Sequence, residues 1–534
     1  MRYLFNIRWI CVLGLLLLSS PLKAQQQPVT NTDLENEVDR VAALIDKHID
    51  ERWAAEGITP APEADDAEFC RRVYLSIVGR IPLVSEVTDF LEDTSSTKRR
   101  RLVDALLESN GYVNNFTIVW SNVLIPEADQ NIQARFFKAD FENWLSLKLV
   151  GKQTRYDEIV TELLVTSLAN GSGNGSDAGS PTAFYQAKEF KPENLAAATS
   201  RMFLGVRLEC AQCHEHPFDG WSQQQFWSQA AFFAQIRSPR QQTNIFSRIS
   251  QSVDRAKITI PDTDTIIEAA FLDGNQPTRN QGQSVREEFA EWITAPENPY
   301  FAKTAANRMW SHLFGIGIVD PVDDFSDIHP PSHPQLLDEL ARELIAHDFD
   351  LKFLIRAITA SRVYQLSSRQ TDPSQADRQQ FARMLPRPMS PEQLINSLSY
   401  AIGRPDLARA QNFNLARTTA GDLFEVFGGN SESPSERTAT ILQALMMMNS
   451  QLIAQATDND TGGTLAAVLD IPWLNTPERI ETLYLATVSR PPRADELSRL
   501  VKYVESGGPK NDKAQALGDV FWVLLNSSEF LLNH

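Results

Sequence analysis

The sequence predicts a mainly α-helical protein, built as two helical domains with a small β element between them. Three observations carry this. Apolar residues recur at steps of three and four along most of the 534 residues, stop and turn residues punctuate those stretches, and one Ile/Thr-alternating stretch near the middle breaks the pattern. Hydrophobic residues make up 42% and charged residues 22%, enough apolar content for a sizeable core.

The first 24 residues read as a secretory signal. Arg2 and Arg8 give a basic start, Trp9 to Leu18 an apolar run too short to span a bilayer comfortably, and Ser19 to Ala24 a small-residue exit. Later segments hold no apolar run of membrane-spanning length, so the mature chain is expected to lack a transmembrane segment and to be exported to the periplasm or cell envelope. The expected divisions are residues 1–24 as signal, 25–237 as a first helical domain, 238–280 as a β-containing connector and 281–534 as a second helical domain.

The elements follow in order. Leu34, Val38, Val41, Ile45 and Ile49 share one helical face, ended by the proline-bearing "GITPAPEADD". A second helix, "AEFCRRVYLSIVGRIP", stops at Gly79 and Pro82. In "SSTKRRRLVDALLESNGY", Leu102, Val103, Leu106 and Leu107 form the apolar face. Gly111 reads there as the C-terminal stop, and Lys98–Arg101 as a solvated basic face. Residues 130–168 read as helical, and "LANGSGNGSDAGSP" as a long Gly/Ser loop. Helical pattern resumes at Pro192–Glu209, runs into "CAQCH", and continues in "SQQQFWSQAAFFAQI". Residues 238–275, with "AKITIPDTDTIIEAAFLDG", supply the β element. In the second half, Ser332 and Gln335 have capping-box spacing ahead of the stripe Leu336, Leu337, Leu340, Leu344 and Ile345. Further on, Ile441, Leu445, Met448 and Leu452 fall on one face that reads as core packing.

A net charge of −18 argues against broad nucleic-acid binding, which depends on Lys and Arg to neutralise phosphates. Of four cysteines, Cys11 leaves with the signal. Cys70, Cys210 and Cys213 remain, an odd number that does not make a disulfide framework.

Two of those three fall in Cys210-Ala211-Gln212-Cys213-His214. C-x-x-C-H is an attachment signal for c-type haem, in which two thiols bond the porphyrin and the imidazole reaches the iron. On a helical turn, positions i, i+3 and i+4 share a face, so Cys210, Cys213 and His214 would converge. The reading is covalent haem c held by Cys210 and Cys213, with His214 as proximal iron ligand. A structural disulfide between Cys210 and Cys213, and a zinc site adding His216, are the rivals. The zinc reading lacks the second ligand pair that structural sites draw from a distant segment. Phe226, Trp227, Phe232 and Phe233 would wall a haem pocket or simply pack the domain. His216 would bond Asp219 or lie at the surface. His333, in the first turn of a predicted helix where the dipole keeps an imidazole neutral, is a candidate distal ligand. Asp323-Asp324 would bind a cation or sugar hydroxyls, or cap a turn. Asn307, Arg308 and Trp310 would bind carbohydrate or serve as scaffolding.

The blocks "DDAEFCRRVYLSIVGRIP", "SRMFLGVRLECAQCHEHPFDGWSQQQFWSQAAFFA", "ENPYFAKTAANRMWSHLFGIGIVDPVDDF", "PPSHPQLLDEL" and "FDLKFLIRAITASRVYQLS" resemble a secreted two-domain family of unknown function. In it, a planctomycete cytochrome-type domain precedes a planctomycete-specific domain. The resemblance runs from about residue 30 to the C-terminus. It implies that the family's cytochrome label rests here on Cys210, Cys213 and His214. Many relatives carry an extra N-terminal cytochrome c module that this chain lacks, which implies a separate redox protein or envelope partner. Relatives also have cysteines where this chain has Ser435-Glu436-Arg437, and an aliphatic residue where Cys70 stands, so Cys70 reads as a core substitute.

The functional expectation is therefore an exported c-type haem protein for electron transfer or redox support. The alternatives are a non-redox envelope scaffold or polysaccharide-binding module with a Cys210–Cys213 disulfide, and a haem peroxidase-like enzyme. Oligomeric state and catalytic residues stay open.

Overall fold

The computed structural model describes residues 31–129, 132–166, 179–216, 219–237, 250–251, 256–278, 283–405, 440–459 and 463–534. The signal segment, most of the Gly/Ser stretch and the Ser435-Glu436-Arg437 site lie outside these. The described chain is mainly α-helical, with three two-stranded antiparallel pairs. Two of the pairs, 236–237 with 250–251 and 257–259 with 266–268, fall in or beside the expected β element. The third, Arg387–Pro388 with Leu532–Asn533, joins distant segments and has no signature in the sequence.

The first helix spans Asn31–Glu56 and buries the expected stripe, extended by Trp53, whose Nε1 donates to the Gln380 carbonyl at 2.7 Å. The helix Asp66–Val73 runs into a π turn, Tyr74–Val78, closed by Gly79 at φ +73°. The same device recurs where Pro192–Thr199 runs into the π turn Ser200–Leu204, closed by Gly205 at φ +65°. In both, the glycine N–H returns to the first carbonyl of the turn, and the left-handed conformation suits a residue without Cβ.

Several local expectations are corrected. Gly111 does not stop the helix Lys98–Leu107. It lies at the start of the next helix, Asn110–Leu124, capped by Ser109, and its lack of a Cβ leaves room for Val78. The basic run is paired: Lys98 and Arg99 bind Asp66, Arg100 binds Asp39 and Arg101 binds Asp93. Ser332 does not form the capping box. The helix Pro334–Ala346 takes His333 as its N-cap, while the Ser332 hydroxyl donates to the Ile318 carbonyl at 3.1 Å. Of the stripe Ile441, Leu445, Met448 and Leu452, the three residues on the helix Ile441–Asn449 are exposed, Ile441 82% and Met448 48%, whereas Met447 is buried there and Leu452, in the next helix, is buried as expected.

One hydrophobic core gathers residues from Val38 to Leu385; a second gathers Met389 to Phe530 and takes Leu75 and Ile81 from the N-terminal half. The larger core runs through the expected connector, because Phe232 stacks on Phe271 and Phe289 with centroids 5.1 and 4.4 Å apart, and Phe271 on Trp292. Packing thus divides the described chain between Leu385 and Met389. Arg71 ties the two units together. Fully buried, it donates from Nη1 to the Thr487 carbonyl (2.9 Å) and from Nη2 to those of Glu529 (3.1 Å) and Phe530 (2.8 Å).

Candidate functional site

Cys210 lies in a single 3₁₀ turn, Glu209–Gln212, and Cys213 caps its C-terminal end. In a 3₁₀ turn, residues three apart eclipse one another. Leu208 and Ala211, three apart, are both fully buried; Cys210 and Cys213, also three apart, are both exposed. The C-x-x-C spacing therefore puts the thiols on one outward edge while the apolar pair pins the other edge to the core. Both thiols are unpaired. Cys70 is a buried free cysteine whose thiol burial pushes far above its usual pKa, in keeping with a packing role.

The backbone of the turn is held from the following helix, Gln223–Ala231, whose start is fixed by a Ser222–Gln225 capping box. Trp227 Nε1 donates to the Gln212 carbonyl at 3.0 Å, and Gln223 Nε2 donates to the carbonyls of Gln212 (3.2 Å) and Cys213 (3.0 Å). These bonds satisfy carbonyls that the short turn leaves without partners.

His214 lies beyond the 3₁₀ turn, so helical stacking does not place it. Its Nδ1 lies 2.6 Å from the Glu215 carbonyl oxygen. A carbonyl only accepts, so Nδ1 carries a proton, and in the neutral ring Nε2 then keeps its lone pair. That is the tautomer a metal-binding imidazole needs. His216 turns away, accepting at Nδ1 from the Asp219 N–H at 2.9 Å. Among the described residues no three His, Cys, Asp or Glu side chains gather closely enough to hold a metal ion by themselves, so the zinc set with His216 is not assembled.

The segment entering the turn is clasped to the other half of the chain. The Phe325 N–H donates to the Gly205 carbonyl at 2.8 Å, and a Cβ on Gly205 would collide with the Phe325 ring. Arg207 Nη2 pairs with Asp323 at 2.7 Å, and Asp324 lies 3.1 Å from His329. Asp323 is thus spent on an ion-pair clasp, while Asp324 faces the local His329. Asn307 is scaffolding too: its Nδ2 donates to the carbonyls of Val319 and Val322 and its Oδ1 accepts from the Val319 N–H.

The other expected site residues are placed elsewhere or otherwise engaged. Phe226, Trp227, Phe232 and Phe233 are buried and pack in the larger core. His333 is buried against Phe381, its Nδ1 3.1 Å from the Ser332 hydroxyl. It is neutral as expected, its pKa lowered to about 4, but burial is the leading cause, followed by Arg52 and His48. Its neighbours in the described structure are Phe381 and Ser332. The Arg207–Asp323 clasp was missed in the sequence because its partners stand 116 positions apart.

Residues 44–238 match the model of PSCyt2, a family of proteins of unknown function (DUF1549). Residues 285–504 match that of PSD1, likewise of unknown function (DUF1553). The chain has the PSCyt2–PSD1 two-domain arrangement. The C-x-x-C-H turn falls within the PSCyt2 match, and the Arg207–Asp323 clasp joins the PSCyt2 part to the PSD1 part. No curated protein and no solved structure matches the chain.

Tested against this geometry, the turn fits the attachment of haem c: two accessible unpaired thiols on one edge, and an imidazole with Nε2 available. An aromatic enclosure by Phe226, Trp227, Phe232 and Phe233 does not fit, because those rings already fill the core.

Proposed function

We propose that the chain is an exported c-type haem protein of the cell envelope, serving electron transfer to or from a separate redox protein. Cys210 and Cys213 would hold the haem covalently and Nε2 of His214 would bind its iron. The observation that carries the proposal is the Nδ1–Glu215 carbonyl bond, which sets the ligating tautomer of His214 beside two unpaired, exposed thiols. When bound, the haem supplies one-electron chemistry at iron. The chain's own residues hold the attachment point: Leu208 and Ala211 anchor the turn inward, Gln223 and Trp227 fix its carbonyls, and Arg207 with Asp323 fastens its approach. A turn at the surface favours exchange with a partner protein over peroxidase chemistry, which relies on a walled distal face.

The exposure of two free thiols also favours a second reading. In an oxidising compartment such a pair closes to a disulfide unless it is otherwise engaged, which would leave a non-redox scaffold or polysaccharide-binding module. One experiment separates the two. The protein is exported in a host with c-type haem maturation, then examined by haem stain after denaturing electrophoresis and by its pyridine haemochrome spectrum. About one covalent haem per chain, lost in Cys213→Ser, supports the first reading; no haem and a Cys210–Cys213 disulfide by mass spectrometry supports the second.

A further inference from the structure

A cleft of about 350 Å³ opens between the first helix, the helix Lys98–Leu107 and the helix Leu351–Ala360. None of its lining residues belongs to the Cys210–His214 turn, and the argument for it is independent of haem. Its volume falls in the range of small-molecule sites. Val38 and Val103, both almost fully buried, supply an apolar floor.

The polar wall centres on Arg356, only 9% exposed. Its Nε donates to Asp104 Oδ1 at 2.7 Å, which fixes the plane of the guanidinium. Among the described residues, Nη1 and Nη2 have no hydrogen-bond acceptor. The neighbouring arginines are committed: Arg99 gives Nε, Nη1 and Nη2 to Asp66, Gln365 and the Ala64 carbonyl, and Arg100 pairs with Asp39. Held by Asp104 through Nε, the guanidinium keeps its two outer nitrogens available to donate into the cleft.

We propose that this cleft binds a hydroxylated carboxylate the size of a sugar acid, its carboxylate bridging Nη1 and Nη2 of Arg356. A planar carboxylate matches the planar fork with two parallel N–H···O bonds. Glu35 and Glu108 also line the cleft. They repel multiply charged anions and accept from hydroxyls, which favours a singly charged polyol acid over a phosphate or sulfate.

The test is isothermal titration of the full chain with sodium glucuronate, with glucose and inorganic sulfate as comparators. Saturable binding of glucuronate, with neither comparator binding as tightly, is expected. Arg356→Lys, which keeps the charge and loses the fork, is expected to weaken binding at least about tenfold with little change in melting temperature. Should that variant misfold, phenylglyoxal labelling of the native protein reads the same contact: glucuronate should protect Arg356, as seen by peptide mass spectrometry. Absence of saturation up to about 10 mM, equal binding of glucose, tighter binding of sulfate, unchanged affinity in a folded Arg356→Lys protein, or unprotected Arg356 would each overturn the proposal.

Discussion

Cys210 and Cys213 face solvent because Leu208 and Ala211 face the core, and a three-residue spacing serves both pairs at once. That spacing was legible in the sequence. The tautomer of His214 was not, because it depends on a backbone carbonyl, and every residue type has one. His333 illustrates a partial success. Its neutrality was legible, but the main reason, burial among side chains from distant segments, was not. Its depressed pKa makes a prediction. The unfolded chain takes up a proton near pH 6.5 and the folded chain only near pH 4, so this group's contribution is complete above pH 6.5 and is lost as pH falls towards 4. The loss is on the order of 3 kcal/mol. In urea titrations at several pH values, His333→Leu is expected to flatten the fall in stability across that window. Burial likewise lowers the pKa of His534 to about 4, so part of the slope should survive in the variant. A second prediction at this scale concerns Arg71. Arg71→Met would leave buried carbonyls of Thr487 and Phe530 without donors, at a cost of at least about 3 kcal/mol, seen as a lowered melting temperature.

At the scale of elements, period-3.6 stripes placed the first helix and the helix Pro334–Ala346 correctly, because each buries one face against one core. The helix Ile441–Asn449 shows the limit of that logic: periodicity reveals that a stripe exists, not that something covers it. Glycine was ambiguous in the same way. Gly111 has the look of a stop, but it makes room for Val78, and a contact of that kind has no local signal. Gly205 is the more consequential case. It closes a π turn in the left-handed region and admits the Phe325 ring, five residues ahead of Cys210. Gly205→Ala is expected to cost about 1–2 kcal/mol from backbone conformation alone, and more from displacing Phe325. Thermal melts should show Phe325→Ala partly offsetting the substitution. Without such relief, the clash would not be the main source of the effect.

At the scale of the whole molecule, helical class and the position of the small β element were legible, because both follow from local pattern. The division of the cores was not. Aromatic stacking carries the larger core from the PSCyt2 part into the PSD1 part, and the strand pair Arg387–Pro388 with Leu532–Asn533 closes the smaller unit across the sequence. Cutting the chain at residue 281 therefore severs a continuous core. Fragments 25–280 and 281–534 made separately are expected to aggregate or to bind a hydrophobic dye strongly. When co-expressed they should associate, which size-exclusion chromatography would show.

The acceptors of Arg71 lie 416 to 459 residues further along the chain. A guanidinium cannot settle into an apolar interior before its acceptors exist, so the N-terminal helices cannot complete their native packing while synthesis is still in progress. A chain threaded outward from its N-terminus would stay open until residue 530 has emerged. Any maturation enzyme that must reach the surface turn at residues 210–214 would then meet it on a polypeptide that has not yet closed.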